Sequence, residues 1–237
     1  MKRISTRDGL RGLATMAVTL GMMAAGMTSR AETVLSNLTA NHYDYEYTRA
    51  NYWVAQSFDT DAQAWTLNSV SVTADGTIPA FAKGNFFAFV YASTGTGDDR
   101  LPGASLGQLD GTDNPSGSQV YSYTAESISL DPSSRYWVLM GVSDGTSSYN
   151  FTLANVVTAT GLWSYPSGGI RGGIVAQSSN YGGSWTLSNY GPFLMEFDAT
   201  AIAPSSVPEI APNSLGSVLA LVLGALGLFE RRRLKAA

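Results

Sequence analysis

Two short runs in this chain are apolar at odd and even positions alike: Phe86-Phe87-Ala88-Phe89-Val90-Tyr91 and Tyr136-Trp137-Val138-Leu139-Met140. Successive side chains of a strand point to opposite faces, so such runs predict strands covered on both sides. Further along, Phe193, Met195 and Phe197 alternate with Leu194, Glu196 and Asp198, which predicts one strongly apolar face and one mixed face. In the segment 65–73 the parity changes, because Trp65 and Leu67 are odd whereas Val70 and Val72 are even. A β-bulge near Asn68 or Ser69 would return all four to one side.

Turn signals punctuate these segments: Asp75-Gly76, Gly95-Thr96-Gly97, Asp110-Gly111, Asp144-Gly145, Gly168-Gly169 and Gly182-Gly183. Each supplies residues that tolerate positive φ. No amphipathic helix of ordinary length interrupts them. With 12 Tyr, 9 Phe, 5 Trp and 25 Gly, the composition also suits pleated surfaces joined by tight turns. The expected fold is all-β, an antiparallel two-sheet sandwich over residues 32–202, with a jelly roll as one form. The chain has no Cys, so neither a disulfide nor a thiolate metal site is available and the core must hold the domain. One internal echo stands out: Val54-Ala55-Gln56-Ser57 before Trp65-Thr66-Leu67, and Val175-Ala176-Gln177-Ser178 before Trp185-Thr186-Leu187. A duplicated hairpin and a chance match of two similar strand pairs both explain it.

The two ends read differently. Lys2, Arg3, Arg7 and Arg11 precede an apolar stretch at 13–27, and Ser29 and Ala31 then place small residues where a signal peptidase holds the chain. The segment 1–31 is expected to be a signal peptide cleaved before Glu32, which makes the protein exported. At 203–237 a Pro- and Ser-rich linker leads through Val207, Pro208 and Glu209 to an apolar run at 215–229, and Arg231, Arg232, Arg233 and Lys235 follow. A helix of about 15 residues reaches roughly 22 Å, short of the roughly 30 Å hydrocarbon core. It can hold the chain in a membrane only with thinning or snorkelling, the basic end staying cytoplasmic.

Pro208-Glu209, a spacer, a short apolar helix and an arginine cluster at the very end of an exported chain resemble the PEP-CTERM sorting signal, with Ile210 and Ala211 departing from its commonest forms. The resemblance implies an exosortase-like processing enzyme as a partner, beside signal peptidase, and association with exopolysaccharide at the cell surface or in the extracellular matrix. Over residues 32–145, a second likeness rests on Val34-Leu35-Ser36-Asn37-Leu38, Val54-Ala55-Gln56-Ser57-Phe58, Trp65-Thr66-Leu67 with Ser69-Val70, Leu101-Pro102-Gly103 and Tyr136-Trp137-Val138-Leu139. These segments resemble the choice-of-anchor R domain, which implies a surface-anchored module and no enzymatic activity.

Charge narrows the partners. Residues 32–206 carry 15 acidic and five basic side chains, a net of −10, so the field of the folded part repels nucleic acid and anionic membrane surfaces. His42 is the one histidine, set in a polar stretch without a recognisable partner motif, and it is read as an ordinary strand or loop residue. No catalytic, cofactor-binding or metal-ligating set is assigned. Two weaker options stay open: Glu196 and Asp198, which share a strand face, as the carboxylates of a glycoside hydrolase, and Asp98, Asp99, Asp110 and Asp113 as oxygen ligands for Ca²⁺, against solvated turn residues. Trp163, Tyr165, Tyr181 and Trp185, in a Gly-rich region, are candidate glycan contacts if their rings face solvent, and core residues if they do not. The expectation is therefore a non-enzymatic exported surface or matrix protein, with a carbohydrate-binding module as the alternative and a hydrolase as a weaker one.

Overall fold

A computed structural model describes residues 30–75, 86–111, 114–143, 148–155, 159–167, 173–188 and 190–203. The signal segment up to Ser29, the sorting residues Val207, Pro208, Glu209, Arg231, Arg232 and Arg233, the apolar run at 215–229 and Asp113 lie outside them. By its contacts the chain divides into two units, Met1–Ile202 and Ala203–Ala237, and the architecture below is that of the first.

The described residues are all-β. The strands are β1 (Ala31–Ser36), β2 (His42–Arg49), β3 (Trp53–Asp59), β4 (Trp65–Asp75), β5 (Phe86–Thr94), β6 (Leu101–Asp110) and β7 (Gln119–Leu130), followed by β8 (Arg135–Val142), β9 (Ser148–Ala154), β10 (Thr160–Gly161), β11 (Val175–Ser178), β12 (Thr186–Ser188) and β13 (Met195–Ala201). One 3₁₀ turn, Gly97–Asp99, is the helical structure among the described residues. Every pairing is antiparallel and links the strands in the order β10-β1-β13-β4-β7-β6-β5-β8-β3-β11-β12, with β9 joining the far end of β4 and carrying β2 on its other side.

Strands distant in that order meet in one core, so the sheet curves back over itself. Phe58 of β3 lies 4.6 Å from Phe197 of β13, and Phe86 of β5 lies 5.6 Å from Phe151 of β9, centroid to centroid. The same cluster takes Val34 and Leu35, Trp65 and Leu67, Tyr121 and Tyr123, Val138 and Met140. Each such large apolar side chain contributes roughly 1.5–3 kcal/mol on burial, which is how a chain without disulfides holds together.

The parity change in β4 is resolved as the pattern requires. Trp65, Leu67, Val70 and Val72 all enter the core, with Asn68 the extra residue opposite β13, where Ser69 pairs Asp198 and Leu67 pairs Ala199. Against β7 the register jumps further, from Leu67↔Ile128 to Ser69↔Thr124, and Ser127 there takes φ 56°. Asn68 Nδ2 donates to Thr200 Oγ1 at 2.8 Å, turning the bulge residue into a cross-strand tie.

Buried amides close the strand ends. Asn37 donates to Phe193 O and accepts from Met195 N, while Gln56 donates to Ser57 O and accepts from Phe193 N. The echoed tetrapeptides turn out to be neighbours: β3 and β11 pair with Ala55 opposite Ala176, Val54 opposite Gln177 and Gln56 opposite Val175. They do not form duplicated hairpins, because β11 and β12 pair with each other while β3 and β4 do not.

The layer β5-β8-β3-β11 is apolar on both faces. Inward it meets the main core; outward Ala55, Trp137, Leu139, Ile174 and Ala176 form a second cluster, flanked by Trp53, Phe87, Phe89, Tyr91, Trp185 and Leu187. β8 is buried on both sides, as its sequence predicts. β5 departs from the same expectation: Phe87, Phe89 and Tyr91 stay half-exposed, because the chain places nothing among the described residues fully over them.

Candidate functional site

The half-covered outer face of β5 is one wall of an open groove of about 590 Å³, lined by Trp53, Phe86, Phe87, Phe89, Tyr91, Tyr181, Gln108 and Ser143. Alternation along the strand puts Phe87, Phe89 and Tyr91 on one side in a row, with centroids 5.5 Å and 6.3 Å apart and the rings edge to face. Trp53, at the start of β3, meets Phe87 at 4.9 Å and 83°, and its indole Nε1 donates to Ala50 O at 2.9 Å. Tilted aromatic pairs of this kind fix one another's orientation.

Gly141 lies against the rings of Phe87 and Trp53. It stands opposite Phe87 in the β5–β8 register, and a Cβ there would lie 2.4 Å from Phe87 Cζ and 3.0 Å from Trp53 Cδ1. A side chain at 141 would lift the rings off the sheet.

The lip is the β11–β12 turn. Ser178, almost wholly buried, donates through Oγ to Asn180 Oδ1 at 2.9 Å and accepts from Gly182 N at 2.8 Å, while Asn180 Nδ2 donates to Ser184 Oγ at 3.0 Å. This network holds Tyr181 at φ 59°, a left-handed conformation that disfavours a bulky side chain, with 59% of the residue exposed. Gly182, at φ +77°, packs so closely on Trp53 that a Cβ would fall 2.7 Å from Cζ3. The outcome is a Tyr181 ring set edge-on to Trp53 at 6.3 Å.

Polar groups are few. Gln108 and Ser143 lie in the groove, and beyond Phe86, Phe87 and Gln108 a smaller recess of about 170 Å³ continues past Asp110 and Asn114. None of the described residues lining the main groove is a carboxylate, so its chemistry is that of a flat apolar surface with a few orienting hydroxyl and amide groups.

The residues singled out from sequence divide. Tyr181 is in the groove, and Trp185 packs half-buried on the outer cluster behind it. Trp163 and Tyr165 take the second of the two readings open for them: they are 3% and 6% exposed and belong to the main core. The bridge between Asp59 and Ser164 draws this segment inward, so that Trp163 stacks on Phe58 at 5.3 Å and 12°, and Tyr165 OH donates to Asn37 Oδ1 at 3.3 Å. Burial raises the Tyr165 phenol pKa well above its ordinary value.

Among the carboxylates, Asp198 accepts from Thr33 Oγ1 at 2.7 Å and Ser69 Oγ at 3.1 Å, ties that stitch β13 to its neighbours, and Glu196 is half-buried on the same strand. Asp98 and Asp99 form the 3₁₀ turn and Asp110 ends β6; among the described residues no group of three or more His, Cys, Asp or Glu side chains is arranged to hold a metal ion. His42 is exposed at the start of β2, its ring 6.0 Å from Tyr45. Ala31 opens β1 opposite Thr200 and Glu32 pairs Ala199, so cleavage before Glu32 leaves every β1 pair but the first.

Sequence reasoning missed Trp53, Phe87, Phe89, Tyr91, Gln108 and Ser143. The signal was present in Phe87, Phe89, Tyr91 and Ser93, an aromatic row at period 2 that ends in a polar residue and so marks a face open at one end. No protein-family model matches the chain, and no curated protein matches it.

Proposed function

We propose that this chain is an exported, non-enzymatic surface or matrix protein whose β domain holds a glycan against the aromatic row of β5. The observation that carries the reading is the groove itself: five aromatic side chains, Trp53, Phe87, Phe89, Tyr91 and Tyr181, left open on a sheet face and buttressed by Gly141 and a strained turn. Pyranose rings have apolar faces that lie on aromatic surfaces, while their hydroxyls need only scattered partners such as Gln108 and Ser143. The signal peptide, the PEP-CTERM-like tail and the exosortase-type processing they imply complete the reading, placing the groove outside the cell near exopolysaccharide. The strands are further read as an antiparallel two-sheet sandwich, β5, β8, β3 and β11 facing β1, β13 and β4 across the shared core; the 4.6 Å approach of Phe58 to Phe197 supports it.

The test is a glycan array probed with the full chain, beside Trp53→Ala and Tyr181→Ala. Saturable binding to a defined saccharide, lost in both variants while their circular dichroism is unchanged, supports the reading. Binding that survives both substitutions removes the groove from it.

A further inference from the structure

The outer face of β5 does not end at Tyr91. Ser93 is the next residue on that side and accepts from Trp137 Nε1 at 2.9 Å; on β8, Arg135 precedes Trp137 by the same two-residue step. About 7 Å beyond the aromatic row, a second cleft of about 340 Å³ opens, lined by Ser93, Arg100, Asp131, Ser133, Ser134 and Arg135.

Three features mark this cleft. The segment 32–206 has five basic residues against 15 acidic ones, and two of the five, Arg100 and Arg135, are here. The Arg135 side chain is 8% exposed and gives Nε and Nη2 to Asp59 at 2.8 and 3.1 Å, with the exposed Asp98 3.9 Å from Nη2, yet its buried Nη1 has no acceptor among the described residues. A buried guanidinium N–H without an acceptor is rare in folded proteins and asks for one. Arg100, half-buried, lies in the same cleft outside the ion pairs that Arg135 makes. Finally, of the three described non-glycine residues with positive φ, one, Tyr181, forms the lip of the aromatic groove and another, Ser133 at φ 49°, lines this cleft. Backbone strain of that kind concentrates where ligands are held.

We infer that the Arg100–Arg135 cleft is an anionic subsite, taking the carboxylate of an acidic saccharide whose neighbouring rings lie on Tyr91, Phe89 and Phe87. The inference rests on the glycan reading of the groove and names its substrate class: a uronate-containing chain rather than a neutral one. The planar carboxylate matches the guanidinium fork, and the serine hydroxyls around it supply further donors. Asp131 on the wall disfavours an anion, and Asp59 already neutralises one face of Arg135; Arg100 is the guanidinium the carboxylate meets, while Nη1 of Arg135 stays buried. Ser93 and Arg135 continue the outer face of β5 and β8 that carries the aromatic row, and Ala92 and Tyr136 of the opposite parity also line the cleft at the strand ends.

Calorimetric titration of the full chain tests this with three probes: a uronate oligosaccharide, its fully methyl-esterified form, and free acetate. The acidic oligomer is expected to bind at least about tenfold more tightly than the ester, a preference that fades with salt and disappears in Arg100→Gln. Trp53→Ala should weaken acid and ester alike. Arg100 is chosen because removing Arg135 would strip Asp59 of its partner. Equal binding of acid and ester, or a preference untouched by Arg100→Gln, overturns the anionic subsite and leaves the glycan reading standing. Binding of acetate at the Arg100-dependent site with no binding of either oligosaccharide overturns the glycan reading and with it the saccharide assigned here, and silence with all three probes overturns both.

Discussion

Gly141→Ala is expected to damage the groove far more than the fold. The added methyl would begin 2.4 Å from Phe87 Cζ, so the ring must retreat by roughly 1 Å to regain ordinary contact at 3.4 Å. Phe87 is half-exposed and lines the open groove, so its ring can swing outward, which keeps the cost near the lower end of the roughly 1–3 kcal/mol typical of overpacking. Moving it also breaks the 4.9 Å edge contact with Trp53, for about another 0.5–1.5 kcal/mol. The total of about 2 kcal/mol corresponds to a fall in Tm of roughly 4–8 °C for a domain of this size. Saccharide binding should fall at least about tenfold, because the displaced ring occupies the floor on which the ligand lies. The decisive assay is a double-mutant cycle by urea unfolding: in a Phe87→Ala background the same Gly141→Ala change should cost much less, because only the 3.0 Å approach to Trp53 Cδ1 remains. An equal cost in both backgrounds would refute the idea that Phe87 is what requires glycine at this position.

Trp163→Ala should destabilise by about 3–5 kcal/mol, since it empties a core site between Phe58 and Trp65; any binding loss should then track the unfolded fraction seen by circular dichroism. Tyr181→Gly should raise stability by up to about 1 kcal/mol by relieving the left-handed backbone while weakening saccharide binding, and a loss of stability in thermal melts would contradict the strain. Glu46 is buried in β2, and burial raises its pKa above 4.5. A raised folded-state pKa adds stability that is present below the unfolded value and lost as pH climbs through the folded one, so Glu46→Gln should gain on the wild type as pH rises above 4.5 in urea titrations. Intact mass of the chain expressed with and without an exosortase should show a product starting near Glu32 and shortened near Pro208 only when the enzyme is present; an unshortened tail in both would make 203–237 a plain anchor.

What could be read in advance follows from which interactions are local. Strand identity and the shift at Asn68 were legible because alternation is written in neighbouring residues, and a parity change within one strand has a single cheap solution. The larger register jump in β7 left no such mark, since it depends on which strand β7 meets. For Trp163 and Tyr165 the sequence left core and surface both open for the same reason: a Gly-rich stretch looks like a loop, and long-range contacts, the bridge from Asp59 to Ser164 and the bond from Trp163 N to Val34 O, carry it inside. The groove was half visible. An aromatic row at period 2 announces itself in β5, yet whether another layer covers it is decided by residues as remote as Tyr181 and Trp53, and the residue that clears space for it, Gly141, reads in sequence as nothing more than a weak point in a strand.

The pairing of β1 with β13 has a mechanical consequence. β13 ends at Ala201 and is bonded along its length to β1 on one side and β4 on the other. A pull along the axis of β13 would load both ladders in shear, so many bonds would share the load at once instead of opening one after another. Rupture under load is governed by the unfolding rate rather than by equilibrium stability. If the domain is held through its C-terminus, as proposed above, the pull falls on a strand bonded on both sides.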